Sequence, residues 1–497
     1  MSPGLTAIIG AGPAGLTAAY LLCQQGRPVV VLESHPDLVG GICRTVCHKG
    51  FRFDIGGHRF FSKSREIEDF WSQLLSPEDF PSRRRMSRIL YRGRFFSYPL
   101  RALEALRNLG LLESLLCVAS YVRARLFPIR DPQNFEQWVA NHFGRRLFRV
   151  FFKTYTEKVW GTSCGEISAD WAAQRIKGFH LGRAIVSAVF PWAGRRRGAD
   201  PVKTLIHAFR YPRLGPGMLW ERCAERVREM GGEVRLGARV CECRFQEESR
   251  TWAVTVSHAA GTRETITAAA VISSAPLREL VNMLRPALPE YVHAAARRLS
   301  YRDFILVAVM VKDRGGFADH WIYVHDPAVQ VGRIQNFKAW SPEMTPDSGL
   351  ACYGMEYFCF AGKDGLWGMA DGDLKGLARR ELVQLGLART EDIVDACVVR
   401  QGKAYPVYDA GYAENVAVIR KALEERFPSL HLAGRNGMHK YNNQDHSMMT
   451  AMLCVENILA GQRIRDPWMV NEDAQYHEGG PGSGGASGLR SVPETAA

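Results

Sequence analysis

The sequence predicts an α/β protein: a Rossmann-type nucleotide-binding domain carrying an inserted helical domain and a domain built on an antiparallel sheet. Three observations carry this. The chain opens strand, glycine turn, helix, strand, as LTAIIG, AGPAG, LTAAYLLCQQG and PVVVLE, which is a βαβ unit. From about Ser62 to Lys177 the pattern is helical, with few strand-like runs. From about Tyr301 to Cys359 it turns to β-formers, in FILVAVMV, WIYVHD, GRIQNF and ACYGMEYFCF.

The first turn reads Gly10-x-Gly12-x-x-Gly15. Gly10 permits the tight turn, Gly12 lets backbone reach a pyrophosphate, and Gly15 lets helix and strand pack closely. Glu33 ends the next strand, where a carboxylate takes ribose hydroxyls. In this context the motif predicts a bound dinucleotide, and a glycine turn without ligand leaves Glu33 unexplained. Next come SHPDLVGGICRT, with Gly41 and Arg44, and GFRFDIGGHRFF, with Gly56, Gly57 and His58. Adjacent glycines there imply a close backbone approach.

Within the helical stretch, Leu112, Leu115, Leu116, Ala119, Val122 and Leu126 recur at helical spacing beside Arg123 and Arg125. Core packing is the first expectation and a peripheral membrane face the second. From about Pro212 the α/β pattern resumes through GGEVRLGARVCECRF and VISSAP, and it closes on SLHLAGRNG and the helix SMMTAMLCVENILAG. The glycine-rich end, EGGPGSGGASGLRSVPETAA, has few apolar residues and is expected to be disordered. These boundaries divide the chain into 1–62, 217–290 and 401–465 for the nucleotide-binding domain, 63–180 for the helical insertion, 181–216 for a connection, 291–400 for the sheet domain and 466–497 for a disordered tail.

The 497 residues carry a formal net charge of +13, partly in the clusters PSRRRMSR, FGRRLFR and WAGRRRG. That excess fits a solvated basic surface, an anionic substrate or an acidic membrane surface. No nucleic-acid module accompanies it, so no nucleic-acid partner is expected. The twelve cysteines form no CxxC pair and no zinc spacing, so no metal is expected, and a reducing cytoplasm fits them. A strand begins almost at once, which argues against a signal peptide. No apolar run is long enough to span a bilayer.

Taken together, the fingerprint, Glu33, GG-x-x-R-T, GxxFDxGGH, VIxxAP and the late AGR resemble the FAD-dependent amine oxidase, protoporphyrinogen oxidase and phytoene desaturase superfamily. The resemblance implies FAD. It makes the Rossmann-type domain an FAD-binding domain and the antiparallel sheet a substrate domain. It places Gly10, Gly12, Gly15, Glu33, Gly41, Arg44, Gly56, Gly57, His58, Val240, Gly434, Arg435 and Asp445 on the cofactor.

The middle of the chain is similar to the UDP-galactopyranose mutases. TYTEKVWG resembles YTxKQWG, RLGPGMLWE their glycine-rich turn, GMEYF their REYP, and GRNGMHKYNNQD their GRLGxYRYxDMD, in family order up to about Ile458. The resemblance implies a diphosphate clamp of Arg333 and Arg435, with Tyr155, Tyr357 and Tyr441 on sugar and phosphate and His58 near the flavin. Plainer roles stand beside these. Arg333 can pair with a core carboxylate, Arg435 can contact the FAD phosphates, Tyr155 can be helical core, and Asp445 can cap a helix.

The chain departs from the mutases at Phe61, where many keep a second histidine, at His439 in place of a tyrosine, and at Val159 in place of glutamine. Two activities therefore remain open. One is a non-redox isomerase of a sugar nucleotide, working with reduced flavin and needing a reductant for it. The other is an oxidoreductase passing hydride from an anionic or lipid-like substrate to FAD.

Overall fold

The computed structural model describes residues 4–471 apart from 99, 168, 170–207, 259–260, 364 and 410. The cluster WAGRRRG and most of the expected 181–216 connection lie outside the described residues.

Three separated stretches of chain build one parallel sheet. Its strand order is Leu430–Leu432, Ala270–Ser273, Thr6–Ile9, Val29–Leu32 and Glu233–Arg235. The two leading strands, TAII and VVVL, are buried along their whole length. Continuous β-branched and aliphatic runs suit a parallel sheet covered on both faces. One face packs against the helices Pro13–Gln24, Gly217–Glu229 and Gln444–Ala460. The other meets a core that includes Trp252, Leu280 and Phe427.

A seven-stranded sheet forms the second layer, in the order Ile393–Pro406, Tyr301–Lys312, Leu350–Cys359, Arg333–Asn336, Trp321–Val324, Ser87–Tyr91 and Arg94–Ser97. All its pairings are antiparallel except the parallel contact of Trp321–Val324 with Ser87–Tyr91. The last two strands correct the helical expectation for residues 63–180. SRILY and RFFS form a hairpin, turned by Arg92 and Gly93 at φ 48° and 70°. Two successive positive φ values are what a tight hairpin turn requires. The sheet's back face carries Ile305, Ile334 and Tyr357 against the helix Asp371–Gln384.

Two further expectations change. The helix Leu111–Leu126 does not bury its leucines: Leu112, Leu115, Leu116, Val122 and Leu126 are exposed, and core packing fails for them. Residues 466–471 are not a disordered tail. Asp466 caps a short helical turn at Pro467–Met469, and Val470 is fully buried. The rest of that expected tail lies outside the described residues.

Candidate active site

A cleft of about 770 Å³ is lined by residues of both sheets. On the side of the parallel sheet the cleft is framed by backbone. Gly10 has φ +96°, and a Cβ there would stand 2.4 Å from Ser274 Oγ. Gly15 does not line the cleft; a Cβ on it would stand 1.9 Å from the Gly10 carbonyl oxygen, so its absence lets helix and strand pack. Gly12 begins the helix Pro13–Gln24 with no side-chain cap and no acidic residue in the first turn. That leaves the positive end of the helix facing the cleft. Gly41 lies against Gly12, where a Cβ would be 3.3 Å from the Gly12 Cα.

Glu33 lines the same region. Its Oε2 accepts the Ala11 N–H at 2.8 Å and its Oε1 the His35 N–H at 2.8 Å. The Arg44 guanidinium donates to the Gly41 carbonyl (2.8 Å) and to Gln401 Oε1 (2.9 Å). Val240, Gly434 and Asp445 also line the cleft. Asn443, not Asp445, caps the closing helix, in a reciprocal box with His446. Asp445 sits in its first turn.

His58 stands where the two layers meet. A Cβ built on Gly56 would be 3.8 Å from Arg333 Nη2 and 3.9 Å from His58 Cε1, so the ring and the guanidinium share one corner. Burial, then the positive charges of Arg435 and Arg333, push the imidazole down to about 3. The ring is neutral at physiological pH, and its Nδ1 is buried with no protein partner. Gly57 makes room for Gln335, whose Nε2 would be 2.8 Å from a Cβ there.

Register explains the rest of the wall. Arg333 lies opposite Tyr323 on one side and Glu356 on the other, and Gln335 lies opposite Trp321 and Gly354. Side chains alternate faces along a strand, so these residues share the cleft side. Arg333 Nε donates to Glu356 Oε2 at 2.5 Å. Gln335 Nε2 donates to Glu356 Oε1 at 2.7 Å, and Gln335 Oε1 accepts the Trp340 indole N–H at 3.0 Å. Burial pushes the Glu356 carboxyl up and the guanidinium opposes it; burial pulls Arg333 down, but the Glu356 carboxylate with Tyr155 and Tyr405 outweighs it and holds the guanidinium well above its ordinary value. Arg333 therefore does pair with a core carboxylate and still lines the cleft.

The expected tyrosines separate. Tyr441 lines the cleft, its ring stacked on Tyr405 at 5.6 Å. Arg435 lies over both rings, at 5.2 and 5.1 Å, and is anchored by donating to the carbonyls of Asn442 (2.9 Å) and Ala404 (3.0 Å). Tyr155 does not line the cleft; it packs one layer behind, edge-on to Tyr323 and stacked on His325. Tyr357 is on the wrong face. Next to Glu356 in the strand, it must point away, and it is fully buried with its hydroxyl donating to Glu381 at 3.0 Å.

Sequence reasoning missed Gln335, Trp321, Tyr323 and Tyr405, all of which line the cleft. Gln335 was recoverable, because it stands two residues after Arg333 on a strand. Tyr405 carries no local signal beyond an aromatic before Pro406.

An uncapped, acid-free helix start, facing glycines that leave no side chain in the passage, and an unpartnered buried imidazole nitrogen fit a flavin dinucleotide. Comparison with known proteins agrees. A "Probable UDP-galactopyranose mutase" of Klebsiella pneumoniae is 25% identical over 173 residues, which are 33% of this chain and 42% of that protein. The chain thus spans less than half of that curated relative. An all-trans-retinol 13,14-reductase of Danio rerio is 47% identical over 51 residues, 10% of this chain and 8% of that protein. The crystal structure of a reduced UDP-galactopyranose mutase superposes with TM-score 0.78 at 22% identity, covering 96% of both chains. A putative protoporphyrinogen oxidase from Exiguobacterium sp. 255-15 gives TM-score 0.68 at 17% identity, covering 93% of this chain and 100% of the other. The flavin containing amine oxidoreductase family matches residues 13–443. This FAD-dependent enzyme belongs to the flavin containing amine oxidoreductase family.

Proposed function

We propose that the chain is a mutase-type isomerase, converting a sugar nucleotide between pyranose and furanose forms with reduced flavin. The observation that carries this reading is the charge at His58: two guanidinium groups, Arg333 and Arg435, face a neutral imidazole. The hydroxyls and amide of Tyr405, Tyr441 and Gln335 line the same cleft. Such a set binds an anion and orients hydroxyls, and its one imidazole is held neutral. When bound, FAD supplies the reactive centre for displacement at the sugar.

The chain's own residues do the rest. The Arg333 Nη groups hold diphosphate oxygens, while Glu356 fixes the guanidinium through Nε. Tyr405 and Tyr441 hold hydroxyls, and His58 offers Nδ1 to the cofactor or sugar. Tyr155 supports Tyr323 from behind, and Tyr357 has no part in substrate binding. Glu33, Arg44, Val240, Gly434 and Asp445 hold the dinucleotide.

One observation favours a second reading, hydride transfer to FAD: Phe61 lines the cleft and gives it an apolar wall. The two readings separate on electron count. Under the first, turnover of a sugar nucleotide requires prior reduction of the flavin yet consumes no reductant. Stoichiometric bleaching of oxidised FAD by substrate, with an oxidised product, overturns it in favour of the second.

A further inference from the structure

The helix Leu111–Leu126 is folded inside out. Its polar and small side faces the protein. Glu113 pairs with Arg146 through two hydrogen bonds of 2.6 and 2.7 Å. Ser120 Oγ accepts the Arg146 N–H at 3.1 Å, and Ser114 Oγ donates to the Leu106 carbonyl at 2.7 Å. Gly144 lies so close beneath that a Cβ would be 2.7 Å from the Tyr121 nitrogen. These contacts fix the helix's rotation, so the outward face is set by structure.

That outward face is apolar. Eight of the thirteen exposed large hydrophobic residues among the described residues lie between Leu111 and Phe127, so this is one patch and not scattered exposure. Leu112 is 74% and Phe127 77% exposed. The surroundings are basic. Arg107, Arg123, Arg125, Arg130, Arg145 and Arg149 are exposed, and the helix's single acidic residue, Glu113, is spent on Arg146.

We infer that this helix docks the protein on an anionic membrane surface, lying in the interface with its leucines below the headgroups and its arginines on lipid phosphates. Its 16 residues measure about 24 Å, and among the described residues no helix is long and apolar enough to cross a membrane. A second copy of the chain suits the patch poorly, because face-to-face docking brings two arginine rims together. Lipid phosphates neutralise that rim instead. The docking does not depend on which reaction the cleft performs, although the insertion reaches the cleft wall through Tyr98, whose ring lies 4.9 Å from that of Tyr323.

The test is co-sedimentation of the full-length, FAD-loaded protein with vesicles of phosphatidylcholine alone or mixed with phosphatidylglycerol. The unmodified protein is expected to bind the mixed vesicles and to release with added salt. Leu112→Glu with Leu115→Glu is expected to weaken binding at least about tenfold. Arg123→Glu with Arg125→Glu is expected to weaken it by about fivefold per arginine or more. Flavin content and melting temperature report whether each variant folds, and the arginine pair decides the matter if the leucine pair does not. Absence of binding to the mixed vesicles overturns the inference. So does binding that neither pair changes, or a leucine-dependent dimer in light scattering without vesicle binding.

Discussion

The two sides of the cleft are made of different material. The parallel-sheet side is framed by backbone, with turns at Gly10 and Gly41, a helix start at Gly12 and helix–strand contact at Gly15, and Glu33 and Arg44 are set into that frame. The antiparallel-sheet side is side chain, arranged by strand register: Tyr323, Arg333 and Glu356 in one row, Trp321, Gln335 and Gly354 in the next. Backbone sites need particular residues at fixed local spacing. Register sites need only that the correct strands meet, and the partners lie far apart in the chain.

The side-chain wall depends most heavily on Arg333. Its side chain is 19% and that of Glu356 0% exposed, so removing the guanidinium strands a buried carboxylate. Arg333→Ala is expected to cost about 3–5 kcal/mol of stability, read from denaturant unfolding. Adding Glu356→Gln should recover most of that loss without recovering substrate affinity. Wild-type affinity in the double variant would remove Arg333 from the clamp.

On the backbone side the expected effect is somewhat smaller in stability and larger in cofactor. Gly15→Val places atoms where the Gly10 carbonyl already stands. It should destabilise by about 1–3 kcal/mol and lose FAD, seen as a fall in the flavin-to-protein absorbance ratio. Full FAD retention would mean that the turn yields more easily than its geometry implies.

Two tyrosines on opposite faces respond differently to loss of a hydroxyl. Tyr357→Phe loses one buried hydrogen bond to Glu381, about 1 kcal/mol, and should leave KM unchanged. Tyr405→Phe should raise KM with little change in melting temperature. The reverse pattern would return Tyr357 to the substrate side.

These cases mark what the sequence discloses. Gly10, Gly12 and Glu33 are legible because a strand, a turn and a helix a few residues apart impose them. Tyr357 is not, because adjacency to Glu356 matters less than which of the two faces the cleft. Period two makes them exclusive, and only the pairing with Arg333 chooses. The helix Leu111–Leu126 shows the same limit in α form. Its periodicity announces an amphipathic helix and is silent on which face turns inward; Arg146 and Gly144, outside the helix, decide that. Residues 87–97 show alternation, and their sheet is found only through a parallel contact with a strand more than two hundred residues away.

The smallest expected effect concerns His58, where the two sides meet. The ordinary imidazole value is 6.5, and in the folded protein it falls to about 3. Between those values the unfolded chain binds a proton that the folded chain refuses. Stability therefore rises with pH across that window and is lost as pH falls through it. His320, His325, His431, His439 and His446 are likewise lowered to about 3 or 4 by burial. The unmodified protein should accordingly weaken steeply below neutrality. His58→Gln removes one of these groups, so the slope of unfolding free energy against pH should flatten by at most one proton, with the other histidines supplying the rest. An unchanged slope would mean that His58 titrates normally in the folded protein, and the positive corner built by Arg333 and Arg435 would then lie too far from the ring to govern it.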